Sequence, residues 1–333
     1  SSRFGSVRVF FVSMVLFGVF SIACGLSSSI GILVVARIFQ GLCGGPLMPL
    51  SQTLMMRIFP KDKAGAAIGI RSMTTLVAPV DGPILGGWLQ VHLGWRSVFW
   101  FATLFGALMF ALCWKGLPET LPPEERQPFL PSVIVRQYVE CTLHLRFMLL
   151  VVVLALSFAG FSLYIGSASH FIMDILHLPE TAFGWMFIPL VTGLIGGSAI
   201  ASRLAHRISR PRMVVMAFGI MALAGSFNLA YNLLAAPHVT VPWAVLPLLI
   251  YSFGLSFLTP AVTMTAMDYF PRNQGLASSL QSFVQMVVFA SMAGFVVPLL
   301  FDSSIKLAWG MVGAGTASLC CYLTFAALRR RQT

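Results

Sequence analysis

Apolar stretches of about twenty residues alternate along this chain with short polar or basic segments. A helix rises about 1.5 Å per residue, so roughly twenty residues cross the hydrocarbon core of a bilayer. The stretches predict ten membrane-spanning helices, at residues 9–27, 30–56, 64–90, 97–115, 147–172, 182–202, 212–234, 241–267, 275–300 and 306–328. Between the fourth and fifth, residues 117–146 are rich in proline and mixed charge, which marks a linker carrying a short surface helix at 131–143. The fold class is therefore all-α, a polytopic membrane helix bundle. Its predicted parts are a bundle at 1–116, a cytoplasmic linker at 117–146 and a second, six-helix bundle at 147–333.

Composition changes the picture in one respect. The chain is 58% hydrophobic and 9% charged, whereas a soluble globule carries roughly 25% charged residues, so its solvent is the lipid bilayer. A net charge of +11 would suit nucleic acid if it formed one patch, but it is spread over loops and no nucleic-acid partner is expected. Of the 21 Lys and Arg, Arg96 and Lys306 fall on one side, Arg37 and Arg71 fall within spans, and all the rest fall on the other side. That asymmetry predicts a multi-pass inner (plasma) membrane protein with both termini cytoplasmic. The six cysteines form no CxxC pair and have no histidine at metal spacing, so they read as small hydrophobes, and neither metal nor cofactor is expected. No GxxxxGK[ST], HExxH or GxGxxG is present and the six histidines are scattered, so an enzyme is not indicated.

Candidate chemistry gathers first in Gly69–Gly87, GIRSMTTLVAPVDGPILGG. Ala78, Gly82 and Gly86 fall four apart on one helix face, where a neighbouring helix can approach closely, and Pro83 removes a backbone donor in the same span. Asp81 is an ionisable residue in an apolar segment, a functional candidate unless it sits at a wet helix end. Arg37, which cannot lose its proton, lies within the preceding span with Gln40 and Gly41. Two readings stay open: Arg37 answers Asp81, directly or through water, with protonation of Asp81 coupled to that contact, or Arg37 answers a carboxylate in a missing first span and Asp81 is incidental. Gly41 and Gly45 offer a further close-packing face.

In the second bundle, Tyr164, Ser167 and His170 recur at three-residue spacing and form one stripe, either facing a cavity or bonding a neighbouring helix. Asp174 and Glu180 read as solvated. Gly193, Gly196 and Gly197 supply a packing face, and residues 212–234 read as outer scaffold. Pro247 and Pro260 suggest a broken helix, and Gln281 and Gln285 place two amides on one face, as a midplane binding site would. The 17 Met and 28 Phe suit either lipid-facing surface or soft cavity walls.

Two segments repeat in order. The opening basic loop is echoed at Ser202-Arg203, and RIFPKDKAGAAIG near Phe59-Pro60 is echoed by DYFPRNQGLASS near Phe270-Pro271. The duplication predicts a twelve-span parent of six plus six, of which this chain would lack the first two spans.

Gly69, Ala78, Gly82, Pro83, Gly86 and Gly87 together resemble the antiporter motif of drug:proton antiporters of the major facilitator superfamily, with Ala78 in place of a usual glycine. Arg37, Gln40 and Gly41 match that family's fourth-span motif. Arg3, Gly5 and Arg8 resemble its cytoplasmic loop motif, although Ser2 stands where an aspartate is usual. GWRSVFWF and LPETL resemble the bicyclomycin and chloramphenicol resistance branch. The resemblance implies a multidrug efflux transporter, monomeric, exchanging protons for small amphipathic substrates by alternating access. A metabolite facilitator and a non-transporting receptor or scaffold are the other readings.

Overall fold

In hydrocarbon a backbone N–H or C=O has no water to bond, so each apolar segment closes its own hydrogen bonds as a helix. The computed structural model describes residues 6–47, 82–114, 131–205, 207–235, 238–271 and 273–330, with the isolated positions 50, 51, 54, 58 and 117. Among them, eight helices are long and apolar enough to cross a membrane. They coincide with eight of the expected spans. The second expected span is described as a helix over Ile30–Gly44, and the third is helical over 82–93.

The chain divides into two compact units, Ser1–Leu130 and Pro131–Thr333. In the first, α1 (Ser6–Gly25) packs on α2 (Ile30–Gly44) and on α4 (Arg96–Trp114), and α3 covers residues 82–93. Ser29 caps α2 by accepting from the Ile32 amide at 3.3 Å. Arg96 stacks over the Trp95 ring at 4.5 Å and donates to the Ser27 carbonyl at 3.0 Å, tying the start of α4 to the turn after α1. No residue of α4 is buried, and Leu104, Leu108 and Leu112 all project outward as lipid-facing residues do.

The second unit begins with α5 (Pro131–Leu143), lying within the expected linker. It docks on its own unit through the Tyr138 hydroxyl, 2.7 Å from Ser279 Oγ, and through buried Cys141. Burial, and then the charge of Glu140, push the Cys141 thiol above the usual cysteine range. The spans follow as α6 (Leu145–Gly166), α7 (Gly184–Leu204), α8 (Arg210–Ala235), α9 (Leu246–Met267), α10 (Gln274–Ser291) and α11 (Ser304–Arg330). A π-helical segment, Phe171–Ile175, follows α6, and another, Met292–Val296, continues α10 toward Leu300. Neither was expected.

Lipid tails are as apolar as leucine, so these helices associate through close packing and interhelical hydrogen bonds. Gly193 and Gly197 of α7 face α9 so tightly that a Cβ on Gly197 would lie 2.7 Å from the Phe253 carbonyl oxygen. Gly196, the third glycine of that expected face, has nothing within 4 Å. Where the backbones approach, Ser256 Oγ donates to the Leu194 carbonyl at 3.0 Å. Tyr251 reaches across to donate to the Ser157 carbonyl at 2.9 Å, and Ser157 and Ser318 are linked at 2.7 Å. The expected break in 241–267 is absent: helix α9 is continuous, because Pro247 occupies its first turn, where no intrahelical donor is needed, and only Pro260 lies inside.

Candidate functional site

Three helices of the first unit position the Arg37 guanidinium. The 3.6-residue period puts Arg37 and Gln40 one turn apart on α2, and Arg37 Nη1 donates to Gln40 Oε1 at 2.9 Å. Gln40 is buried, and its Nε2 donates to Ser21 Oγ of α1 at 2.6 Å; that hydroxyl donates to the Phe17 carbonyl at 2.8 Å. From α4, the Phe99 ring lies 5.3 Å from the guanidinium carbon, within cation–π range. The relay fixes the glutamine amide and holds a permanent cation in an apolar segment, and a guanidinium has five N–H donors with which to answer an anion. Asp81 lies outside the described residues, as do Gly69, Arg71, Ala78, Arg3 and Gly5. Arg8 is described and is exposed near the start of α1.

The small-residue faces of this unit differ from expectation. No described atom lies within 4 Å of where a Cβ on Gly82, Gly86 or Gly41 would stand, and Gly45 meets only carbonyls of its own helix. Close approach falls instead on Gly44, where a Cβ would lie 3.3 Å from the Phe17 ring. Gly82 and Gly86 border an apolar cavity of ≈ 460 Å³ whose other walls include Met14, Phe17, Phe101 and Phe105. Among the described residues, the bulky side chains of α1 and α4 hold space open beside the glycines. Pro83 and Gly87 flank them on α3.

In the second unit the expected stripe does not act together. Tyr164 and Ser167 are buried inside the second unit. The Tyr164 hydroxyl accepts from Asn228 Nδ2 of α8 at 2.6 Å, and Ser167 Oγ donates to the Leu163 carbonyl of its own helix at 2.8 Å. Tyr164 thus follows the helix-bonding reading, because an unpaired hydroxyl at that depth would be costly. His170 is half exposed and belongs to another group: Nδ1 contacts Asp174 Oδ2, and the ring stacks on Phe301 at 4.1 Å. Asp174 is therefore paired and not merely solvated.

Sequence reasoning missed Asn228 and Asn232 by reading 212–234 as scaffold. Both are buried, and Asn232 Nδ2 donates to the Asn228 carbonyl at 2.8 Å and to its Oδ1 at 3.0 Å. Their four-residue spacing in an otherwise apolar run was the available signal. Gln281 is buried at the contact of α10 with α9, donating from Nε2 to Thr263 Oγ1 at 3.1 Å. Its Oε1 has no partner among the described residues. Gln285, one turn on, is half-buried. No cluster of metal-ligating side chains occurs among the described residues.

The family model described as Major Facilitator Superfamily matches residues 1–294. The multidrug export protein EmrB of Haemophilus influenzae is 42% identical over 117 residues, 35% of this chain but 23% of that protein. The bicyclomycin resistance protein homolog of the same organism is 24% identical over 302 residues, 89% of this chain and 73% of that protein. The matched chain thus spans about a quarter of the EmrB relative's length. Among solved structures, a peptide transporter POT in complex with alafosfalin superposes with a TM-score of 0.75 at 16% identity, covering 99% of this chain and 81% of that one. A D-xylose-proton symporter superposes at 0.67 and 16% identity, covering 96% and 81%. Helices, bundle packing and a family model spanning most of the sequence agree, and the chain belongs to the Major Facilitator Superfamily.

Proposed function

We propose that this protein is a secondary active exporter that exchanges inward-moving protons for outward-moving amphipathic small molecules by alternating access. The observation carrying this reading is the 42% identity to a multidrug export protein. The anchored Arg37 cation supplies a physical basis for coupling. While Asp81 is ionised it answers that cation across adjacent spans. When Asp81 takes a proton the attraction ends, and the cation keeps Gln40 and the Phe99 ring as its partners among the described residues. A bundle built on such a contact has two arrangements selected by one proton.

In this proposal residues 1–116 and 147–333 are the two bundles that alternate, joined by 117–146. The aromatic and methionine walls of the cavity beside Gly82 and Gly86 suit hydrocarbon parts of varied ligands. Gln281 Oε1, without a partner among the described residues, offers an acceptor to a substrate N–H or O–H, with Gln285 one turn on. The test is uptake of a fluorescent amphipathic cation into everted membrane vesicles. Energising the vesicles with a proton gradient is expected to drive accumulation, and a protonophore to release it. Accumulation indifferent to the protonophore would remove proton exchange from the proposal.

A further inference from the structure

At the basic end of the second unit, a cavity of ≈ 320 Å³ opens among α6, α8, α9 and α11. Its lining carries two guanidiniums, Arg210 and Arg329, against one carboxylate, Asp268, so the wall is cationic. Arg210 Nη1 donates to Asp268 Oδ2 at 2.5 Å, but the two side chains are 47% and 62% exposed, and water screens such a pair. A guanidinium has five N–H donors, and one is committed here. Arg210 also opens α8, whose helix dipole adds positive potential. A third guanidinium stands at the same end, Arg146 donating to the Leu328 carbonyl at 3.2 Å, next to Arg329.

A second cavity, of ≈ 180 Å³, lies farther along the seam of α8 and α11, bordered by Met221, Gly225, Gly315 and Leu319. The Phe218 and Tyr322 rings, 5.8 Å apart, stand between the two: Tyr322 lines the first and Phe218 the second. From Arg210 to Gly225 the helix runs about 22 Å, close to half of a 40–45 Å bilayer. A cationic head site and an apolar slot are therefore aligned along one seam over the depth of one leaflet, with the two rings between them.

We propose that this seam binds one anionic phospholipid, its phosphodiester on Arg210 and Arg329 and one acyl chain passing the Phe218–Tyr322 rings into the slot beside Gly225 and Gly315. A free phosphate would answer the guanidiniums and leave the slot unused, so the aligned pair of cavities favours the lipid.

The test uses the full chain, purified and delipidated in detergent, with lipid binding followed by native mass spectrometry and by Tm. Phosphatidylglycerol, phosphatidylcholine of the same chains, and inorganic phosphate are the three probes. Phosphatidylglycerol is expected to bind saturably and more tightly than phosphatidylcholine, by roughly fivefold for each arginine engaged, and phosphate to leave Tm unchanged. Arg210→Gln with Arg329→Gln is expected to erase the preference. Gly315 borders the slot and a Cβ there would meet nothing within 4 Å, so Gly315→Leu is expected to narrow the slot and to weaken both lipids while keeping the preference. Equal binding of the two lipids, a preference that survives in the double variant, or a Tm rise produced by phosphate alone would each overturn the proposal. Should the double variant fail to fold, the three-probe comparison on the unaltered chain and Gly315→Leu still decide.

Discussion

Asn228 and Tyr164 meet where neither has water to fall back on, and a 2.6 Å bond between them links α8 to α6. Interhelical hydrogen bonds in membranes contribute roughly 0.6 kcal/mol on average and about 1.7 at most. Asn228→Leu is therefore expected to lower Tm in detergent, because it leaves the buried Tyr164 hydroxyl without that partner and takes an acceptor from Asn232, and Tyr164→Phe to cost less, because Asn228 Nδ2 keeps its contact with Met311 Sδ at 3.3 Å. Equal Tm for Asn228→Leu and the unaltered chain would show the bond to be idle. Cys141 offers a second residue-scale prediction. Only the thiolate attacks an alkylating reagent, and burial followed by the Glu140 charge holds this thiol above its usual range. Its rate with a maleimide is thus expected to keep rising at pH values where an ordinary peptide thiol has levelled off, and Glu140→Gln to move the profile down. A profile matching the free peptide would contradict that placement.

Among elements, α7 and α9 test the packing argument most cleanly, because two adjacent glycines face different surroundings. A Cβ on Gly197 would press on the Phe253 carbonyl and, at 2.8 Å, on Ser256 Cβ, while Gly196 is open. Overpacking of this kind costs about 1–3 kcal/mol, so Gly197→Ala is expected to destabilise clearly and Gly196→Ala to be neutral by thermal unfolding. Equal effects would mean that the helices part without strain. The same comparison shows what was legible. Small-residue spacing says where a helix is able to approach, and at Gly193 and Gly197 one does. At Gly82 and Gly86 the identical spacing borders a cavity among the described residues, since what stands opposite depends on Phe17 and Phe101 of other helices. The π-helical segments after α6 and α10 had no local signature, because the extra residue in the turn is accommodated by tertiary packing. The His170–Asp174 pair was readable, since residues four apart on a helix are neighbours.

Across the whole molecule, span positions were legible because bilayer thickness imposes a length that few other constraints imitate. Polar partners were less so, since Asn228 and Tyr164 are 64 residues apart and nothing local joins them. Arg37 was found by its charge, but its anchoring through Gln40 to Ser21 on another helix appeared only with the fold. Coupling of a proton to substrate movement is the central claim. Its most direct measurement is reconstitution of the protein into proteoliposomes that enclose a pH-sensitive dye, followed by an imposed gradient of an amphipathic cation. The account predicts proton movement opposite to the cation, building a proton gradient from none, lost in Asp81→Asn while downhill cation flux persists. Cation flux with no accompanying proton movement, or proton movement unchanged in Asp81→Asn, would contradict it.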